Sequence, residues 1–206
     1  MSNILVIQSS ISGQQSVSRA LVDETVTRLL EAKPGAHVVV RDLGSHPVPH
    51  LDANSLAGVR GSPVTETELT TRELSDSLIA ELRAADTVVI GAPMYNFSMS
   101  SALRSWFDHV LRAGETFRYT SAGPEGLVGN KRVIVIESHG GLYSEGPGKA
   151  LDFQEPYLRA LLGFMGVSDL TFVRAEKIGL GPDARKTSIA GAMAEIAALT
   201  RETKAA

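Results

Sequence analysis

Residues 4–18 read Ile4-Leu5-Val6-Ile7-Gln8-Ser9-Ser10-Ile11-Ser12-Gly13-Gln14-Gln15-Ser16-Val17-Ser18. Four apolar residues in a row, without polar alternation, predict a central parallel strand covered on both faces. The hydroxyl-rich segment behind them feeds straight into a helical pattern from about Ser16 to Ala32, with Val22, Val26, Leu29 and Leu30 on one face and Lys33-Pro34-Gly35 as its stop. Strand, polar turn and helix in that order are the opening of a β-α repeat.

The repeat recurs along the whole chain. Val38-Val39-Val40, Thr87-Val88-Val89-Ile90, Val133-Ile134-Val135-Ile136 and Leu170-Thr171-Phe172-Val173 are further buried-strand runs. A second helix carries Leu74, Leu78, Ile79, Leu82 and Ala85 at helical spacing behind a capping box, Thr65-Glu66-Thr67-Glu68. A third shows the clearest stripe, Leu103, Trp106, Phe107, Val110 and Leu111, with Gly114 expected as its C′ residue and Ser98 as a candidate N-cap. Pro156 belongs near the start of a fourth helix bearing Leu158, Leu161 and Leu162, since a proline deep inside would break it. A fifth is expected over roughly 183–199, with Ile189, Met193 and Ile196 inward.

Five β-α units with no internal repeat, charge block or low-complexity linker predict a single domain over 1–206. Right-handed crossovers and five strands favour a doubly wound α/β sheet of flavodoxin-like order 2-1-3-4-5 with helices on both faces. Its ligand site lies at the switch point, where the loops after Ile7 and Ile90 leave the carboxyl ends of strands one and three.

Composition narrows the function classes. The 206 residues are 43% hydrophobic and 21% charged, near the values for ordinary soluble proteins, which argues against intrinsic disorder. The 20 Lys and Arg against 23 Asp and Glu give a net charge of −3, with no basic stripe for nucleic acid. No apolar run has the length of a membrane span or a signal-peptide core, so a cytoplasmic location is expected. There is no cysteine, so disulfides, thiolate nucleophiles and iron–sulfur clusters are excluded and any redox chemistry must come from a bound cofactor.

The first loop offers hydroxyls and unpaired N–H groups at a helix N-terminus, an anion site favoured by the helix dipole. It has no lysine and no G-x-x-x-x-G-K-[ST] pattern, which argues against a nucleotide triphosphatase and for one phosphate held by neutral donors, as in a flavin mononucleotide. Serines that merely cap a helix are the plainer alternative. The second loop, Ala92-Pro93-Met94-Tyr95-Asn96-Phe97-Ser98-Met99, supplies flat apolar side chains for an isoalloxazine face and an amide for its polar edge. Aromatics packed under a turn are the alternative there.

Ser9-Ser10 with Ser16-Val17-Ser18, Pro93-Met94-Tyr95-Asn96-Phe97, Phe117-Arg118-Tyr119-Thr120 with Gly123-Pro124-Glu125-Gly126-Leu127, Gly140-Gly141, and Gly163-Phe164-Met165-Gly166 stand in order along the chain. Together they closely resemble the FMN-dependent NADH-azoreductases, also described as FMN-dependent NADH:quinone oxidoreductases. The resemblance implies a homodimer with FMN at the subunit interface. It implies that Ser10, Ser16, Val17 and Ser18 hold the phosphate and ribityl end, and that Met94, Tyr95, Asn96 and Phe97 contact the ring. By the same resemblance Ser138, His139, Gly140 and Gly141 lie along the flavin's other edge, and Tyr119 and Phe164 line the substrate pocket. The family often has Ser-Arg-Gly-Gly at 138–141. His139 exchanges that permanent guanidinium for an imidazole, which carries no permanent charge.

Other patterns carry less. Gly179-x-Gly181-x-x-Ala184 opens the last helix, so no following strand can complete a dinucleotide unit. His46 and His50 are separated by Pro47 and Pro49, which prevent the helix that would align two metal ligands. His109 reads as a partly exposed helical residue, and no G-x-S-x-G elbow marks a hydrolase. The Pro/Gly-rich stretch 43–63 reads either as a partly ordered flap over the site or dimer interface, or as a mobile solvent-exposed loop.

The expected activity is two-electron transfer from NADH or NADPH to small planar acceptors, quinones and azo compounds, by ping-pong chemistry on FMN. No catalytic side chain stands out because the cofactor carries the chemistry. A flavodoxin-type electron carrier is the rival. Such carriers commonly dock through a strongly acidic face, which −3 over 206 residues does not supply.

Overall fold

The computed structural model describes residues 2–205, with side chains through 201. Five parallel strands form its main sheet: β1 (Asn3–Gln8), β2 (His37–Asp42), β3 (Thr87–Pro93), β6 (Arg132–Ser138) and β7 (Asp169–Ala175), in the order β2-β1-β3-β6-β7. This is the expected 2-1-3-4-5 order. The labels shift because an antiparallel hairpin, β4 (Phe117–Thr120) and β5 (Gly123–Gly126), stands apart from the sheet between the third and fourth parallel strands.

The strands lack polar alternation because both faces are covered. Leu5, Ile7, Val88, Ile90, Val133 and Val135 point to one side, against α3 (Glu66–Ala84), α4 (Ser101–Val110) and α5 (Glu155–Phe164). Ile4, Val6, Val89, Ile134 and Ile136 point to the other, against α1 (Val17–Ala32) and α6 (Pro182–Ala205). The capping box forms as read: Thr65 accepts the Glu68 amide, and the Glu68 carboxylate accepts the amide of Thr65 at 2.9 Å.

Four local expectations are corrected. Ser100, not Ser98, caps α4 by accepting the Leu103 amide, because Ser98 is committed to a tight turn with Tyr95. That helix ends at Val110, so Gly114 lies beyond its C′ position; its φ of 82° serves the turn in which its N–H bonds the Phe117 carbonyl. His109 is fully buried, its Nε2 3.0 Å from the Pro49 carbonyl. The 43–63 stretch is a strap on α3 and α4 that contains a short helix, α2 (Leu56–Arg60): Leu43, Val48 and Val59 are buried, Arg72 donates to the Gly58 and Gly61 carbonyls, and His50 Nδ1 meets Ser105 Oγ at 3.0 Å.

A parallel sheet with antiparallel helices sorts the connections to two ends. The loops leaving the five parallel strands lie at the carboxyl end, and the loops leading from α1, α3, α4 and α5 lie at the amino end. This sorting decides which candidate residues can meet.

Candidate active site at the switch point

β1 and β3 are neighbours whose following loops diverge to opposite faces, and the loops are stitched together where they part. Ser9, fully buried, donates to the Gly91 carbonyl at 2.6 Å. Ser10 Oγ lies 3.3 Å from the Tyr95 hydroxyl, which also accepts the Ile11 amide. Beyond them the chain makes a single 3₁₀ turn, Gly13–Gln15, with Gly13 at φ 54°, and delivers Ser16 to the N-cap of α1.

Ser16 accepts the Arg19 amide at 3.1 Å, and its hydroxyl lies 3.1 Å from that of Ser18. The Ala20 amide bonds the Ser16 carbonyl, which leaves the amides of Val17 and Ser18 as the helix's unpaired donors. Two hydroxyls, two amides and the positive end of a 16-residue helix therefore converge on one point. The cation in this turn, Arg19, is bound to Asp42 at 2.8 Å, so the cradle is made of neutral donors. Both functions of the serines are realised at once, since Ser16 caps the helix and still presents its hydroxyl beside Ser18.

The second loop is strained. Tyr95 and Ser98 exchange backbone bonds of 2.8 and 3.1 Å around Asn96 and Phe97, at φ 49° and 70°. A bulky residue at positive φ is an outlier, at a cost of about 1–3 kcal/mol that surrounding structure must offset. Here the Phe97 carbonyl accepts the Phe153 amide at 3.1 Å, and its ring stands edge-on to Tyr143 with centroids 6.2 Å apart. The conformation leaves Phe97 42% exposed, and Ile11 of the first loop is exposed as well.

β6 brings up the third segment. Its register pairs Ala92 with Glu137 and Pro93 with Ser138, and the Met94 amide bonds the Ser138 carbonyl at 3.0 Å. Gly140 and Gly141 are pinned by the amides of Gly179 and Lys177. The His139 ring is fully buried, its Nδ1 3.3 Å from Glu176 Oε1 and its edge against Tyr143 at 5.6 Å. Burial opposes the charge on Glu176, yet bonds from the Ser144 hydroxyl, the Tyr143 amide, His139 and the Ser144 amide hold its carboxyl below the usual range.

Ser10, Ser16 to Ser18, Met94 to Phe97 and Ser138 to Gly141 are thus gathered at one end of the molecule. Tyr119 and Phe164 are not. α4 and α5 begin at the carboxyl end of the sheet and run back, so the hairpin after α4 and the last residue of α5 emerge at the amino end. There Phe117 stacks between Tyr119 and Phe164, at 5.5 and 4.6 Å, and Tyr119 is 73% exposed. The hairpin is seated by glycine contact: a Cβ on Gly126 would lie 2.1 Å from the Gly166 nitrogen.

A cavity of about 450 Å³ flanks the loop, lined by Ile11, Tyr95, Asn96, Met99, Arg104 and Tyr157, with the Arg104 guanidinium 5.0 Å above the Tyr157 ring. Sequence reasoning did not single out Tyr143, Glu137 or Gln154. The available signal was a charged residue ending the apolar run Val133–Ile136.

Comparison with known proteins agrees with this fold. The family model Flavodoxin_2, described as a flavodoxin-like fold, matches residues 2–199. A relative from Hyphomonas neptunium, named FMN-dependent NADH:quinone oxidoreductase, is 64% identical over 197 residues, 96% of this chain and 95% of its own. One of the same name from a Nostoc species is 49% identical over 201 residues, 96% and 97% of the two chains. Among solved structures, an azoreductase from Bacillus anthracis superposes with a TM-score of 0.90 at 29% identity, covering 98% of this chain and all of that one.

Proposed function

Because this chain belongs to the Flavodoxin_2 family, whose fold is flavodoxin-like, we propose that the switch-point site holds FMN and that the protein is an FMN-dependent oxidoreductase passing two electrons from NADH to quinones, with azo compounds as further acceptors. The observation that carries this reading is the junction of two chemically different loops, a neutral hydroxyl-and-amide cradle and a strained aromatic turn, tied together by Ser10 and Tyr95. The names of the relatives from Hyphomonas and Nostoc support it.

FMN, when bound, supplies a centre that accepts a hydride and returns it to an acceptor. The chain's task is to bind, orient and exclude water. Ser16, Ser18 and the amides of Val17 and Ser18 take the phosphate, with Ser10 beside them. Met94 to Phe97 lie along the ring, and Ser138 to Gly141 border its far edge through backbone groups, since the His139 ring is turned inward to Glu176.

The aromatic wall over the slot comes from a second copy. Tyr119 and Phe164 sit at the wrong end of their own chain to reach the site, whereas a two-fold dimer brings each hairpin to the other chain's mouth in an isologous contact. Exposed Ile11 and Phe97 on one end and Tyr119 on the other are the surfaces such a contact covers. NADH and the planar acceptor occupy this one slot in turn, which makes the kinetics ping-pong and the acceptor range broad.

The test is NADH oxidation with a small quinone, with and without added FMN. Turnover that requires FMN, with parallel double-reciprocal lines, supports the reading. Bound FMN without quinone turnover would point instead to an electron carrier.

A further inference from the structure

β6 runs Val133-Ile134-Val135-Ile136 and then places Glu137 in full burial. A buried carboxyl is costly unless its oxygens are satisfied. Glu137 Oε1 accepts Gln154 Nε2 at 2.9 Å, but Oε2 has no hydrogen-bond partner. Gln154 is itself fully buried; its Nε2 also bonds the Ala92 carbonyl at 2.9 Å and lies 3.5 Å from His139 Nε2. Ala92 is two residues before Met94, and Glu137 is one residue before Ser138. The acid–amide pair therefore sits directly beneath the seam where the ring-side loop and the Ser138–Gly141 segment meet.

We propose that Glu137 is a positioning residue for the cofactor site: through Gln154 it fixes the Ala92–Phe97 loop against the Ser138–Gly141 segment, and loss of its proton releases that loop and weakens FMN binding.

Burial pushes the Glu137 carboxyl up to about 8; the Gln154 bond opposes this, Glu155 adds to it, Arg174 opposes it and Asp152 adds to it. These are the charged groups facing it from α5, β7 and the turn before α5, with His139 behind Gln154. Arg174 Nε stands 3.6 Å from Oε2, but its guanidinium is engaged by Glu155. Asp152 is spent on the Gln154 and Glu155 amides. At neutral pH the acid form accepts one Gln154 N–H on Oε1 and leaves the other to the Ala92 carbonyl. Once ionised, the carboxylate draws both Gln154 N–H groups and Arg174 to itself, in competition with the Ala92 carbonyl and Glu155. The acid form binds FMN better, so affinity is full below the shifted value and is lost as pH rises through it.

This rests on the FMN reading above, and the experiment separates the two. The FMN dissociation constant is measured by flavin fluorescence from pH 6 to 9.5 for wild type, Glu137→Gln and Gln154→Leu. Wild type is expected to weaken about tenfold between pH 7 and 9, the change for a single ionisation near 8 that blocks binding. Glu137→Gln, a neutral mimic of the acid, stays near the wild-type pH 7 value throughout. Gln154→Leu binds weakly already at pH 7 and shows no such rise. A flat wild-type profile overturns the proposal without recourse to any variant, as does a Glu137→Gln profile that repeats the wild-type rise. Failure of wild type to bind FMN at any pH overturns the functional reading itself and this inference with it.

Discussion

The hydroxyls of Ser10 and Tyr95, 85 positions apart in sequence, lie 3.3 Å from one another across the switch point. They link a loop that leaves β1 toward one face to a loop that leaves β3 toward the other, and Tyr95 also accepts the Ile11 amide. Tyr95→Phe keeps the ring and removes this strut. FMN affinity is expected to fall by about 0.5–1.5 kcal/mol, the net value of a neutral hydrogen bond, with little change in the thermal midpoint of the apoprotein. Equilibrium dialysis of FMN checks it; unchanged affinity would remove the strut from the site.

Ser16 and Ser18 share a hydrogen bond but not a role. Ser16→Ala loses the cap on Arg19 and is expected to cost about 1 kcal/mol of apoprotein stability in addition to FMN affinity. Ser18→Ala leaves the cap in place and costs affinity alone. For each, the affinity loss is about 1–3 kcal/mol, the range for a bond to a charged group. Urea melts of the apoproteins beside FMN titrations resolve the two effects, and a double variant that binds FMN like wild type ends the phosphate assignment.

The strand order was legible because each run, from Ile4–Ile7 to Leu170–Val173, is buried on both faces and so lacks alternation, and crossover handedness leaves few ways to arrange five of them. Caps were less legible. Ser98 and Ser100 are equally good in isolation, and what separates them is the bond pair between Tyr95 and Ser98, which depends on two non-glycine residues at positive φ that no sequence rule anticipates. Trp106 and Phe107, in the stripe of the third helix, are wholly covered by the chain itself, because the 43–63 strap brings Leu43 and Val48 into the same core. Tyr119 and Phe164 were assigned by resemblance to one pocket with the cradle. Only the direction of α4 and α5 reveals that a single chain holds them apart.

Glu137 also imposes a pH dependence on folding. Its folded value, raised from 4.5 to about 8, means the native state binds the extra proton between those limits. The fold is favoured at low pH and loses up to about 1.4 kcal/mol per pH unit as pH climbs through that window. Glu137→Gln has no proton to lose. Relative to wild type its apoprotein is expected to be near neutral at pH 5 and clearly more stable at pH 8, read from urea midpoints at the two values. Equal midpoint differences at both would mean that Glu137 ionises freely in the native state.

Gly126 is required by backbone approach, since an added methyl would fall within 2.1 Å of the Gly166 nitrogen and 2.2 Å of the Met165 carbonyl carbon. Gly126→Ala must lift the β4–β5 hairpin off the end of α5. Overpacking of this kind costs about 1–3 kcal/mol, and displacement of Tyr119 is expected to change acceptor preference while FMN content stays at the wild-type level. Loss of FMN instead would mean that the hairpin supports the cradle of its own chain.

The sharpest consequence of the two-ended layout concerns which chain Tyr119 serves. Tyr119→Ala in a homodimer alters both slots, and removal of one aromatic contact is worth about 0.5–1.5 kcal/mol beyond lost area, so kcat/KM for quinones relative to bulkier azo dyes is expected to shift several-fold. A hybrid dimer can separate the chains. One subunit carries Tyr119→Ala with its phosphate serines intact, and the other keeps Tyr119 but carries the Ser16→Ala and Ser18→Ala pair that empties its cradle. If Tyr119 reaches across, the one FMN-loaded site in the hybrid is walled by the partner's Tyr119 and returns the wild-type quinone-to-azo ratio. If it acts within its own chain, the loaded site lacks the tyrosine and the hybrid keeps the ratio of the Tyr119→Ala homodimer. Phe164→Ala, paired in the same way, gives a second reading, because Phe164 stands on α5 and Tyr119 on the hairpin, their rings each packed on Phe117.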